Sequence, residues 1–128
     1  MTNEIPALPA GRQNPNRKKY DLKERTSKFG REVIWFLKTL SYNPINTPLI
    51  SQLVRSATSI GANYMEADVA ESKKDFQHKI GICKKEAKET IHWLQMITAA
   101  NSSTEKQCQI FSQDALEFVL IFSAILRK

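Results

Sequence analysis

The chain has 128 residues, of which 41% are hydrophobic and 25% are charged, and these proportions indicate a single soluble globular domain. It holds only 4 glycines and 5 prolines, and no segment alternates apolar and polar residues over a strand's length, so we expect an all-helical fold. No run of about 18 uncharged apolar residues occurs, and the amino terminus lacks the apolar core of a secretory signal, so we expect a cytoplasmic protein with no membrane span.

The formal net charge of +6 is concentrated near the amino terminus. Residues 11–31 contain two acidic residues and eight basic ones, which are Arg12, Arg17, Lys18, Lys19, Lys23, Arg25, Lys28 and Arg31. The rest of the chain has eleven residues of each sign. A local basic excess is typical of proteins with a polyanionic partner, so these eight residues are our candidate nucleic-acid ligands. A solubilising tail would account for the same charge.

The amino-terminal segment differs from the rest of the chain in composition. Residues 1–19 contain three of the five prolines and show no apolar periodicity, which predicts a flexible basic arm. Residues 20–128 are predicted to form one helical domain. Its first helix begins at a cap formed by Asp21 and ends near Tyr42.

The second helix is predicted to begin at Thr47, because a threonine followed by proline is a good helix start, and to end near Ala70. Ser72 predicts the cap of the third helix, and Ser102 that of the fourth, because an acidic residue follows each of them three positions later. Apolar residues recur every three or four positions in all four segments, and the loops between them are short. This pattern predicts an up-down-up-down antiparallel four-helix bundle.

The fourth predicted helix is apolar on nearly all sides. Residues 115–126 contain one charged residue, Glu117, yet a four-helix bundle buries only one side of each helix. The remaining surface would be an exposed apolar patch, which is unusual in a soluble monomer. Since twelve residues are too few to cross a bilayer, we predict self-association through a surface that includes Leu116, Val119 and Leu120.

The segment Gln52–Ala67 is rich in small residues, and Gly61 in a helix interior suggests close packing against a neighbouring helix. In an antiparallel hairpin, Arg55 would lie level with the turn that carries Glu86 and Glu89. We therefore predict an ion pair between Arg55 and one or both glutamates, which would fix the register of the two helices. A ligand or catalytic site in this segment is the alternative.

No set of residues in the sequence indicates catalysis. His78 and His92 are fourteen positions apart on one predicted helix, about 21 Å along its axis, so they cannot share a metal within the chain. Cys83 and Cys108 fall on apolar stripes and are predicted to be reduced core thiols. No glycine-rich phosphate loop or nucleophile motif occurs. We therefore predict no metal, no cofactor and no enzymatic activity.

Four segments of the sequence carry a family resemblance. They are DLKERTSKF, QLVRSATSIGANYMEA, SKKDFQHKI, and KKEAKET followed by Trp93 and Leu94. Over about residues 20–125 they resemble the bacterial four helix bundle protein family, which is named for open reading frames in intervening sequences of 23S ribosomal RNA genes. The resemblance implies a bundle that assembles as a ring, typically a pentamer.

The resemblance also implies kinship with the accessory variability protein of diversity-generating retroelements. That protein is a basic pentameric bundle that binds nucleic acid and a reverse transcriptase. We therefore expect a homo-oligomeric accessory protein that binds RNA or DNA, with a reverse transcriptase as a further partner and no membrane contact. The alternative is an oligomeric protein scaffold without nucleic-acid contact, and a weaker third class is an enzyme with a site at the ring centre.

Overall fold

The computed structural model describes the backbone of residues 17–128 and the side chains of residues 22–128. It contains four α-helices and no strand within that part of the chain. Their bounds are Arg17–Leu37 for α1, Asn46–Asp68 for α2, Lys73–Ala100 for α3 and Glu105–Leu126 for α4. The all-α, four-helix prediction is thereby confirmed for the described residues.

Each helix contributes one apolar stripe to a common core, because its buried side chains recur every three or four positions. The largest fully buried side chains include Val33 of α1, Leu53 and Ile60 of α2, Ile80 and Leu94 of α3, and Phe118 and Phe122 of α4. Aromatic rings fill the space between α1 and α4: the Phe29 ring meets Phe111 and Phe118 edge-on, with centroid distances of 5.9 and 5.5 Å.

The predicted helix starts have mixed outcomes. The Ser72 hydroxyl accepts the backbone N–H of Asp75 at 3.0 Å, which confirms the cap of α3. The predicted cap at Thr47 is wrong, because α2 already begins at Asn46. There the side-chain oxygen of Asn43 accepts two backbone N–H groups, from Ile45 at 3.0 Å and from Asn46 at 2.7 Å.

Two further predicted boundaries are corrected. Helix α1 begins at Arg17 and ends at Leu37, so Asp21 lies within it and Tyr42 lies beyond it. Residues 1–16 of the predicted arm lie outside the described residues. Ser102 does not cap α4 but opens the 3-10 turn Ser102–Thr104, which precedes that helix. In this turn the Thr104 backbone N–H donates to the Asn101 carbonyl at 2.9 Å.

Two asparagines connect the start of α2 to the end of α3. The Asn46 amide donates to the Asn101 side-chain oxygen at 3.1 Å, and the Asn101 amide donates back to Asn46 at 2.9 Å. Asn46 is buried. The pair satisfies both side-chain amides and joins the connection before α2 to the connection after α3.

The segment Ser102–Leu126 is long and apolar enough to cross a membrane by length and composition, with a mean hydropathy of 1.4. A helix packed into the core of a bundle passes the same test. Three phenylalanines of α4, Phe111, Phe118 and Phe122, are buried in the core shared with the other helices. We therefore treat α4 as a bundle helix that carries an additional apolar surface.

Candidate nucleic-acid interface

Helix α1 and the residue that follows it carry most of the chain's net positive charge. Residues 17–38 contain eight basic and three acidic residues, a net charge of +5. Among the predicted nucleic-acid ligands, Arg12 lies outside the described residues. Arg17, Lys18 and Lys19 lie in the first turn of α1, where their side chains are not described. The structure describes the side chains of the other four, which are Lys23, Arg25, Lys28 and Arg31.

Arg25 faces α4 instead of solvent. Its guanidinium donates to the Glu117 carboxylate and lies 5.2 Å from the centroid of the Phe118 ring. The Arg25 side chain is only 18% exposed. The charge and the ring contact together hold the guanidinium between two helices. We therefore remove Arg25 from the predicted phosphate ligands and treat it as a contact between α1 and α4.

Arg31 is exposed and hydrogen-bonded along its own helix. Its guanidinium donates to the Ser27 hydroxyl at 2.7 Å and to the Glu24 carboxylate at 3.2 Å. Lys23 is exposed and Lys28 is half-buried, and neither forms an ion pair with any side chain of residues 22–128. Their charges are therefore not neutralised by a described carboxylate.

Two residues of this surface were missed by the sequence reasoning. Lys38 directly follows α1 and is exposed, and its backbone N–H still bonds the Ile34 carbonyl at 3.0 Å, as in a helix. Trp35 is 59% exposed. Both lie beyond residue 31, the last residue of the basic segment predicted from charge. Lys28, Arg31, Trp35 and Lys38 are spaced by three or four positions, so all four lie on one side of a helix. This spacing is the sequence signal that identifies Trp35 and Lys38 as part of the surface.

The structure brings the three predicted ion-pair residues together. Arg55 of α2 donates to Glu86 at 3.1 Å and to Glu89 at 2.5 Å, both on α3. These hydrogen bonds, the one to Glu89 first, raise the pKa of the Arg55 guanidinium, although partial burial opposes the shift. Since the Arg55 side chain is 46% exposed, water screens the pair and its contribution to stability is small.

A second ion pair joins the same two helices. Lys79, near the start of α3, donates to Glu66, near the end of α2, at 2.6 Å. This hydrogen bond raises the pKa of the Lys79 ammonium. Beside the Arg55 pair the buried Thr90 hydroxyl lies 3.0 Å from that of Ser56. Arg55 is paired with Glu86 and Glu89, whereas Glu66, further along α2, is paired with Lys79, which comes earlier on α3.

Small residues of α2 form a packing surface toward α1. A Cβ atom added to Gly61 would lie 3.4 Å from backbone atoms of Thr26, and one added to Gly30 would lie 3.5 Å from the Thr58 methyl. A shallow hollow of about 430 Å³ lies beside this contact, lined by Lys23, Glu24, Ser27, Gly61 and Met65. The small residues of the segment thus serve the close approach of two helices.

The predicted interface residues of α4 lie in two environments. Leu116 and Leu120 are 45% and 60% exposed, whereas Val119 is 8% exposed. Val119 lies four positions after Ala115 and three before Phe122, so it belongs to the buried stripe of the helix. Ile110 is also exposed. The outward apolar surface of α4 therefore includes Leu116 and Leu120 but not Val119.

Within residues 22–128, no group of three or more His, Cys, Asp or Glu side chains could hold a metal ion. Cys83 and Cys108 are buried free thiols. Burial raises the pKa of the Cys83 thiol to about 12, so this sulfur is protonated near neutral pH and is a poor nucleophile.

Comparison with known proteins identifies the family. The model of the 23S rRNA-intervening sequence protein family matches residues 18–123. Among solved structures, a protein of unknown function from the S23 ribosomal protein family of Bacteroides thetaiotaomicron VPI-5482 superposes with a TM-score of 0.76 at 31% identity, covering 84% of this chain and 96% of that chain. No curated protein matches the chain. Since the family match extends into all four helices, this chain belongs to the 23S rRNA-intervening sequence protein family.

Proposed function

We propose that this protein is a non-enzymatic, homo-oligomeric accessory factor that binds nucleic acid. The observation that carries the proposal is the charge of α1, where residues 17–38 have a net charge of +5 and the lysines at positions 23, 28 and 38 have no carboxylate partner among the described side chains. Such a surface binds phosphates electrostatically and with little regard to base sequence.

Self-association strengthens this binding. The exposed Leu116 and Leu120 on α4 supply an apolar surface for subunit contacts. The motif resemblance favours an up-down-up-down antiparallel bundle arranged as a ring of five subunits. Each subunit would present one basic helix, and linked contacts to one strand raise the overall affinity by about 10²–10⁴.

The motif resemblance also supports the choice of partners. It favours a protein that assists a reverse transcriptase of a diversity-generating retroelement, with RNA or DNA as the nucleic acid. The name of the matched family refers to an intervening sequence of 23S ribosomal RNA. Because this name refers to ribosomal RNA, RNA is included among the probes.

The test is binding of fluorescently labelled RNA and DNA between about 50 and 200 mM salt. The logarithm of the binding constant should fall linearly with the logarithm of salt concentration, because phosphate contacts release counterions. Unrelated sequences should bind alike. The double variant Lys28→Gln/Lys38→Gln should bind more weakly with a shallower slope, whereas the control Lys106→Gln/Lys128→Gln changes the same charge at exposed positions and should bind as the wild type.

The second candidate is an oligomeric scaffold that contacts only proteins. The exposed Leu120 and the exposed apolar residues of the connection between α1 and α2, Tyr42 and Ile45, favour it. Absence of binding to both RNA and DNA at about 50 mM salt would exclude the nucleic-acid proposal and leave the scaffold.

A further inference from the structure

The outer side of α1 carries a large aromatic side chain among basic residues. Trp35 is 59% exposed. Arg31 lies four positions before it and Lys38 three positions after it, and Lys28 lies one turn before Arg31. Residues with this spacing share one side of a helix, and Lys28 to Lys38 spans about 15 Å along the axis. The tryptophan therefore stands within a basic strip.

The rotation of α1 that exposes Trp35 is fixed by contacts between α1 and α4. The Phe36 ring packs against Phe111 with a centroid distance of 5.6 Å, and the Phe29 ring packs against Phe111 and Phe118. Arg25 binds Glu117 on the same side. Because these contacts hold three turns of α1 against α4, Trp35 is directed away from the bundle by its position in the helix.

The basic residues around Trp35 have unused binding capacity. Lys28 and Lys38 form no ion pair with any described side chain. The Arg31 guanidinium uses one hydrogen bond to Ser27 and one to Glu24, while a guanidinium has five N–H donors. Each of the three can therefore contact a phosphate without breaking a contact on which the fold depends.

We propose that Trp35 is a stacking platform for an unpaired base, with Lys28, Arg31 and Lys38 binding the phosphates on either side of it. The inference rests on the proposed function and deepens it by naming single-stranded nucleic acid as the ligand class. An indole stacks on any base, and basic side chains beside it follow the backbone of the strand. In a duplex the bases are already stacked on each other, so a double strand would contact only the basic residues.

Charge argues against a second copy of this surface as the occupant. A two-fold contact places the same patch of both subunits face to face. Lys28, Arg31 and Lys38 of one copy would then meet the same three cations of the other, and like charges at close range repel. A polyanion with flat bases fits both the charge and the aromatic ring.

The experiment uses the intrinsic fluorescence of Trp35. The chain has 2 tryptophans, so Trp93→Phe leaves Trp35 as the sole tryptophan, whose emission is selected by exciting at a wavelength that tyrosine does not absorb. Titration with a 20-nucleotide oligothymidine should quench this emission, whereas a duplex of equal length should bind through the lysines with little quenching. Trp35→Ala should lower the affinity for the oligothymidine about tenfold or more and leave duplex affinity within about twofold. Trp35→Phe should retain most of the single-strand affinity.

The outcomes separate the two proposals. If the wild type binds neither probe at about 50 mM salt, the proposed function fails and the stacking site fails with it. If it binds and Trp35→Ala leaves single-strand affinity and its preference over duplex unchanged, only the stacking site is refuted. A lower oligomeric mass of Trp35→Ala in light scattering would identify Trp35 as a subunit contact and refute it as well.

Discussion

Arg25 lies in the most basic segment of the chain, yet its side chain pairs with Glu117 across the bundle. The two residues are 92 positions apart, and only the packing of α1 on α4 brings them together. The pair Arg55–Glu89 could be predicted because α2 and α3 are consecutive and their short connection fixes which residues are level. Charge counts locate a basic segment, but they do not tell which of its members face a neighbouring helix.

Removing the Arg25 guanidinium should destabilise the fold. We expect Arg25→Met to lower the free energy of unfolding by about 1–2 kcal/mol, because it leaves a half-buried carboxylate without its charged partner. Urea denaturation measures this change. Arg31→Met, whose partners are exposed, is the matched control and should change stability by less than about 0.5 kcal/mol. Strict additivity of Arg25→Met with Glu117→Gln would contradict a coupling between the two side chains.

The Cys83 thiol should resist modification in the folded protein. Because burial raises its pKa to about 12, the thiolate is scarce at pH 8, and iodoacetamide should label this residue far more slowly than in urea. The unfolded thiol ionises near its ordinary value, so stability from keeping Cys83 neutral is present below about pH 9 and is lost as pH rises toward 12. Cys83→Ala should remove that part of the alkaline loss. Labelling as fast in buffer as in urea would contradict the burial.

At the scale of helices, the apolar stripes were predictable and the ends were not. The apolar residues that recur every three or four positions in α2 and α3 include Leu53, Ile60, Ile80 and Leu94, which are buried, since a 3.6-residue period leaves one side for the core. The helix ends depend on local hydrogen bonds, and more than one nearby residue can form them, so the sequence does not single out one cap. Asn43 caps α2 from outside the helix, and a 3-10 turn replaces the cap expected at Ser102. Ser72 was predicted correctly because it makes the common bond to the third residue after it.

The glycines of α2 and α3 offer a test of packing at this scale. No atom lies within 4 Å of a Cβ added to Gly81, whereas one added to Gly61 meets Thr26 at 3.4 Å. Gly81→Ala should therefore raise the free energy of unfolding by about 0.5–1 kcal/mol, the difference in helix propensity. Gly61→Ala should gain less, because its methyl group presses on the backbone of α1. Thermal unfolding of both variants measures the difference, and an equal gain would contradict the close approach of α1 and α2.

At the scale of the whole molecule, the sequence predicted an apolar outer surface on α4 but not its members. Val119 and Leu120 are neighbouring apolar residues in a segment that is apolar on nearly all sides, so the sequence pattern does not tell which of them is exposed. Only the packing of α4 on the core shows that Val119 is buried and Leu120 is exposed. The basic segment predicted from charge ends at Arg31 and so does not include Trp35. The family resemblance, in contrast, was carried by four short motifs, and the family match over residues 18–123 confirms it.

Leu120→Glu should disrupt assembly without unfolding the subunit. Leu120 is exposed, and a charge placed in an apolar contact loses its water on association. Light scattering at micromolar concentration should give the wild type a mass well above 14.6 kDa and the variant a lower one. Gln107→Glu adds the same charge at another exposed position of α4, on a different side of the helix from Leu120, and is the control. Val119→Glu should unfold the chain instead, and a stable wild-type monomer would refute the self-association.

The Asn46–Asn101 pair has a consequence for motion. Each side-chain amide donates to the oxygen of the other, so neither connection can open alone without breaking both hydrogen bonds and leaving the oxygen of the buried Asn46 side chain without that donor. The first turn of α2 and the last turn of α3 should therefore open as one cooperative unit. In hydrogen–deuterium exchange, the backbone amides of both turns should share one opening free energy, and Asn101→Ala should accelerate exchange at the start of α2, about 55 residues away in sequence. Two connections that are distant along the chain would thus open and close together at one end of the helix pair.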